Sequence, residues 1–154
     1  MVFTSELQRA KQTAEQAQKI MGTHLPIHRL AIFNEIDYGP DENKTDEEVI
    51  ARIGIEALKA WDAEGIAPSG WNVDPKNIIR DWHHFANQQL TEHQGKTILV
   101  VTSNGIARFA PYLTGDFDAF AAKHKIKIAT GALCIFEKSN SSESWECINW
   151  NLKP

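Results

Sequence analysis

The sequence predicts a three-layer α/β domain with a mainly parallel sheet, and three observations predict it. Short apolar runs alternate with longer stretches of helical spacing along most of the chain, which is the element order of a parallel sheet flanked by helices. The segment 97–103 (Thr-Ile-Leu-Val-Val-Thr-Ser) is apolar throughout its centre, the mark of a strand covered on both faces. With 154 residues, 42% of them apolar and 23% charged, the chain has the size and composition of one globular domain, read as spanning 1–154.

In chain order, residues 2–4 (Val-Phe-Thr) read as a short strand running straight into a helix. Ser5 stands as its cap, and Gln8 three residues on completes a capping box. Leu7, Ala10, Ala14, Ala17 and Met21 recur at helical spacing, and Gly22 supplies the stop. Residues 26–32 suit a second strand, and 34–44, with Gly39, Pro40 and several acids, a loop. A helix is expected over 45–61, capped by Thr45 with Glu48 at the capping-box position. Residues 64–75 are punctuated by glycine and proline and read as a surface excursion. The strongest amphipathic helix covers 75–90, burying Ile78, Ile79, Trp82, Phe85 and Leu90. The strand at 97–103 leads into a helix over 104–113. Strands at 129–136 and 145–150, joined by a polar turn at 138–144, form a hairpin.

Composition excludes several classes. The longest apolar run, 98–101, is far too short to cross a bilayer, and Glu6, Arg9 and Lys11 interrupt any signal-peptide core. The cytosol is the expected location, with no membrane partner. A net charge of −4, from 16 basic and 20 acidic residues, argues against a nucleic-acid surface. Cys134 and Cys147 lack metal-ligand spacing and read as small buried hydrophobes in strands. No metal or cofactor is expected.

Chemistry in a parallel sheet gathers at the carboxyl ends of its strands, and three such ends are recognisable. At the first, Ser5 to Arg9 opens a helix whose free N–H groups favour an anion, and Arg9 can fork onto phosphate oxygens. A solvated helix arginine fits the same residues. At the second, Glu35 lies beside an apolar stretch, where a carboxyl can hold its proton and act as a general acid. A solvated loop glutamate is the plainer alternative. At the third, Ser103 and Asn104 follow the strand, with Gly105 at the bend. Ser103 is no serine-hydrolase nucleophile, because the G-x-S-x-G signature is absent.

Taken together, these blocks resemble a known family. Ser5-x-Leu7-x-Arg9-Ala10-x-Gln12-Thr13-Ala14 is similar to the second block of the histidine phosphatase superfamily, whose fold is phosphoglycerate-mutase-like. Glu35-Ile36-Asp37-Tyr38-Gly39 resembles the block bearing its proton-donating glutamate. The stretch from Val100 through Ser103, Asn104 and Gly105 to Arg108 occupies the place of a strand ending in a second pocket histidine. The resemblance implies phosphoryl transfer or phosphomonoester hydrolysis. In that mechanism a histidine in an Arg-His-Gly motif is phosphorylated, Arg9 clamps phosphate and Glu35 protonates the leaving oxygen. Ser5, Ser103 and Asn104 would join Arg9 in binding phosphate, the ligand being phosphate or a phosphorylated small molecule.

Two departures qualify that implication. No Arg-His-Gly occurs, so the chain is expected to be N-terminally incomplete, starting at the family's second strand with the first missing. Ser103 stands where the second histidine would be, and Asn104 replaces a glycine; a serine cannot carry an imidazolium's charge. Little or no phosphatase activity is therefore expected. The alternative is a non-catalytic module that binds a phosphorylated ligand or a protein partner. The slot left by an interior strand must be filled. Either 129–136 pairs directly with 97–102, or a homodimer is built across the gap.

Overall fold

The strand β1 (Val2–Thr4) is the middle of a three-stranded sheet, between β2 (Ile27–Arg29) and β3 (Leu99–Val101), and both neighbours run parallel to it. The computed structural model describes residues 1–139 and 141–153. Thr4 stands level with Arg29 at the end of β2 and with Val101 at the end of β3. All three residues of β1 are buried. Alternation along the strand sends Phe3 to one face and Val2 and Thr4 to the other. Helix α1 (Gln8–Met21) covers the second face with Ala10 and Ala14. On the first, Phe3 meets Phe85 edge-on, ring centroids 5.1 Å apart. Phe85 belongs to α4 (Pro75–Glu92), which Asp74 caps through the Asn77 N–H. The sheet thus lies between two helical layers, as predicted.

Helices α2 (Asp46–Ile53) and α3 (Ile55–Glu64) stand where one helix was expected. The break is Gly54, whose φ of 84° ends one helix and opens the next. The Thr45–Glu48 capping box is present as read. The Ser5 capping box is not: α1 begins at Gln8, Leu7 occupies the cap position, and Ser5 Oγ accepts the Leu7 N–H at 3.3 Å. The helix expected at 104–113 is α5 (Asn104–Ala107) followed by a 3₁₀ turn at Ala110–Thr114, because Pro111 has no N–H to continue an α-helix. A short helix α6 (Phe117–Ala121), capped by Asp116, has no counterpart in the sequence reading. The polar turn predicted at 138–144 includes residue 140, which lies outside the described residues.

The hairpin forms as predicted from β4 (Leu133–Glu137) and β5 (Glu146–Leu152). Cys134 and Cys147 are free thiols on it, each half-buried rather than fully so, and burial pushes the Cys147 thiol up to about 11. Direct pairing of the hairpin with β3 does not form. Among the described residues β3 pairs with β1 alone and β4 with β5 alone. β3 has α1 on one face and the core, through Val100, on the other, and stands at the edge of the sheet among the described residues, with all three of its residues half-buried.

The core is aromatic and centred on Phe33, which is 1% exposed and lies 4.9 Å from the Phe85 ring and 5.2 Å from the Trp82 ring. Truncating it opens a cavity between the segment after β2 and α4. Phe33→Ala is expected to lower unfolding free energy by about 3–5 kcal/mol in urea denaturation.

Candidate functional site

Because the strands are parallel and in register, the segments that follow them leave from one edge. Each hand-off is tied to its neighbours. The Ser5 N–H donates to Val101 O at 3.1 Å and the Leu30 N–H to Thr4 O at 2.9 Å. The Thr102 hydroxyl reaches Phe33 O at 2.8 Å. Asn34 and Glu6 exchange two bonds, Asn34 Oδ1 accepting the Glu6 N–H at 2.8 Å and Asn34 Nδ2 donating to Glu6 Oε2 at 3.0 Å. Arg29 also donates to Glu6 O. Residue 35 is therefore delivered to the space between the start of α1 and the turn after β3.

Arg9, Glu35 and Ser103 converge there. Arg9 Nη2 donates to Ser103 Oγ at 3.3 Å, bridging α1 to the turn after β3. Glu35 is packed against that turn: a Cβ on Gly105 would collide with Glu35 Oε1 and stand 2.8 Å from Ile36 Cγ1. Gly105 is required for this close approach. Burial raises the Glu35 pKa above its ordinary value, opposed by the Ile36 N–H and by the charges of Arg9 and Arg108. A carboxyl so placed holds its proton to higher pH than a solvated glutamate does.

Two other predicted phosphate ligands are placed differently. Ser5 is fully buried, and its Oγ is engaged with Leu7; its role is to hold the turn, and a side chain with no exposed surface does not meet a ligand. Asn104 spends both ends of its amide within the fold, donating to Ile128 O and accepting from Arg108 Nη2 at 2.9 Å.

The sequence reading missed the wall behind Glu35. The 64–75 excursion is docked on the Glu35 loop. The Asn72 N–H donates to Asp37 O at 2.9 Å, and Trp71 packs edge-on against Tyr38 at 4.7 Å. Asp41, 6% exposed, accepts from Trp71 Nε1 at 2.6 Å and from Arg52 Nε at 2.6 Å, with a second bond from Arg52 Nη2. Gly39 has a φ of 55° and sits so close to Gly70 O that no Cβ fits. Burial, with Glu35 nearby, pushes the Tyr38 phenol up to about 12.

The family model of the histidine phosphatase superfamily, branch 1, matches residues 1–152. The chain belongs to this superfamily. No curated protein matches it, but solved structures share its fold. A mycobacterial glucosyl-3-phosphoglycerate phosphatase superposes with a TM-score of 0.80 at 16% identity, covering 100% of this chain and 78% of its own. The same phosphatase in complex with inorganic phosphate gives 0.77 at 15% identity, covering 98% and 76%. An alpha-ribazole phosphatase from Shigella flexneri gives 0.64 at 18% identity, covering 99% and 74%. The superfamily's fold is therefore present, and its neighbours include phosphatases of different substrates. Among the described residues no helix is long and apolar enough to cross a membrane, and no group of three or more His, Cys, Asp or Glu could hold a metal ion.

The Asp41 clasp carries a pH signature. The Arg52 hydrogen bonds, aided by Trp71, hold the Asp41 carboxyl at about 2, below its ordinary 3.8. A depressed carboxylate contributes stability that is full above the unfolded pKa and lost as pH falls through the folded one. The stability difference between the wild type and Asp41→Asn is thus expected to be constant above about pH 5 and to narrow between about pH 4 and 2, read by urea denaturation at each pH. Hydrogen exchange at the Asn72 amide should quicken in the variant.

Proposed function

We propose that the corner formed by Arg9, Ser103 and Glu35 binds phosphate or a phosphorylated small molecule in the cytosol. Arg9 is the clamp on phosphate oxygens, Ser103 offers a hydroxyl, and Glu35 is the acid facing a leaving oxygen. The observation that carries this reading is the bridge from Arg9 to Ser103 with Glu35 in the field of the same guanidinium. Superfamily membership and a fold neighbour solved with inorganic phosphate support it.

Turnover by this chain is expected to be negligible. Its six histidines lie elsewhere: His28 packs tilted against Phe3 and His124 against Phe120, His83 and His84 are exposed on α4, His93 follows α4, and His24 follows α1. Ser103 carries no charge, and losing the nucleophile of a covalent route leaves only binding and electrostatics. Titration calorimetry with orthophosphate tests the binding. Arg9→Ala should weaken it by about tenfold or more, and Glu35→Gln should leave it intact. Phosphate affinity unchanged in Arg9→Ala would overturn the pocket and favour a protein-interaction module that keeps the fold. Acid-labile labelling of a histidine would overturn the inactivity.

We also propose that two copies of the chain meet across the free edge of β3. The strand is half-buried and unpaired on one side among the described residues, and the hairpin exposes Leu133, Ile148 and Leu152. An open apolar edge of this kind recruits a partner strand or hydrophobic cover. Sedimentation equilibrium should report a dimer; a stable monomer would refute this assembly.

A further inference from the structure

Arg108 is the most deeply buried charged residue among those described, and no contact with a ligand is assigned to it above. It is 3% exposed. Its guanidinium lies 4.0 Å from the centre of the Trp61 ring. Nη1 donates to Trp61 O at 2.7 Å and Nη2 to Asn104 Oδ1 at 2.9 Å, while the buried Nε has no hydrogen-bond partner. The nearest carboxylate, Asp62, is 3.9 Å away and is also held by Lys127 at 2.8 Å. The positive charge is therefore only partly neutralised by its ion pair, in surroundings where an unpaired charge is costly.

We infer that Arg108 is a positioning residue for Glu35: it fixes the turn against which the Glu35 carboxyl is packed and adds a permanent positive charge to its surroundings. The mechanical part follows from the contacts. Arg108 binds Asn104, the first residue of α5, and Gly105 next to it is the residue on which Glu35 rests. The electrostatic part follows from what faces Glu35. The charges acting on it are Arg9 of α1 and Arg108 after α5, beside the Ile36 and Gly105 N–H groups, while Tyr38 of the acid's own loop is neutral because its phenol is pushed up to about 12. Asp62 of α3 faces Arg108.

The two guanidiniums differ in one respect. A phosphate on Arg9 neutralises that charge when the site is filled, whereas Arg108 cannot be reached by the ligand and keeps its charge throughout. Burial alone would hold the Glu35 proton to higher pH. A fixed cation nearby favours the ionised form and keeps the group able to lose and regain a proton. This inference rests on the reading of Glu35 as the proton carrier of the site.

The test is the Glu35 titration, followed by carboxyl carbon NMR of the full chain without phosphate, so that a failure of phosphate to bind Arg9 falls on the proposed function alone. Arg108→Gln is expected to raise the Glu35 midpoint by about 0.3 pH unit or more, and Arg108→Lys to restore it towards the wild type. A folded Arg108→Gln with an unmoved midpoint would overturn the inference. A second measurement needs no substitution at Arg108. The Arg108 Nε–H resonance of the wild type should shift with the Glu35 midpoint and lose that step in Glu35→Gln; a resonance flat through the Glu35 titration would overturn the inference equally.

Discussion

Thr4 ends a strand whose every residue is buried, and the strands on both sides run parallel to it in register. That pairing is the constraint on which the rest of the molecule depends. Parallel strands in register deliver three chain segments to one edge, and each leaves with polar groups that the sheet no longer satisfies. The bonds among those segments, Ser5 to Val101, Leu30 to Thr4, Thr102 to Phe33 and Asn34 to Glu6, complete that satisfaction. They also place Arg9, Glu35 and Ser103 together. The site is a consequence of closing the sheet's end, which is why residues from three distant parts of the chain meet without a dedicated scaffold.

Two carboxyls in one short loop are driven in opposite directions by their surroundings. Asp41 is held ionised by Arg52 and Trp71, and its charge ties the loop to the 64–75 excursion. Glu35, six residues earlier, is deprived of water first and compensated only in part by two N–H groups and two guanidiniums. One acid serves as a structural anchor and the other as a candidate proton carrier, a division set by environment alone. Tyr38 lies between them and transmits the fit, its ring against Trp71 on one side and its phenol near Glu35 on the other.

Much of this was legible in the sequence where a local rule decides the structure. The strand at 2–4, the stop at Gly22, the Thr45 capping box and the terminal hairpin all rest on neighbouring residues. The misses are tertiary. Ser5 has the residue type of a cap, but its hydroxyl is taken by the turn, and the helix opens later. Gly54 breaks a continuous helical pattern because its φ is positive, which the spacing of apolar residues does not encode. The apolar run at 98–101 is covered by α1 and the core, but its apolar pattern does not say which strand lies beside it, and the hairpin does not pair with it. Asn104 looks like a ligand until both ends of its amide are traced to the fold. Arg108 had a signal of its own: a lone cation in the run Ile106-Ala-Arg-Phe-Ala-Pro111 is a charge inside an apolar segment, and such a charge is buried for a reason.

The central claim is that three strand ends build one anion pocket with Glu35 as its acid. A crystal structure of the chain soaked with orthovanadate tests it most directly. The anion should lie against the Arg9 guanidinium and the Ser103 hydroxyl, with the Glu35 carboxyl turned towards it. Vanadate bound away from Arg9, or a Glu35 side chain pointing out of the pocket that holds it, would contradict the account.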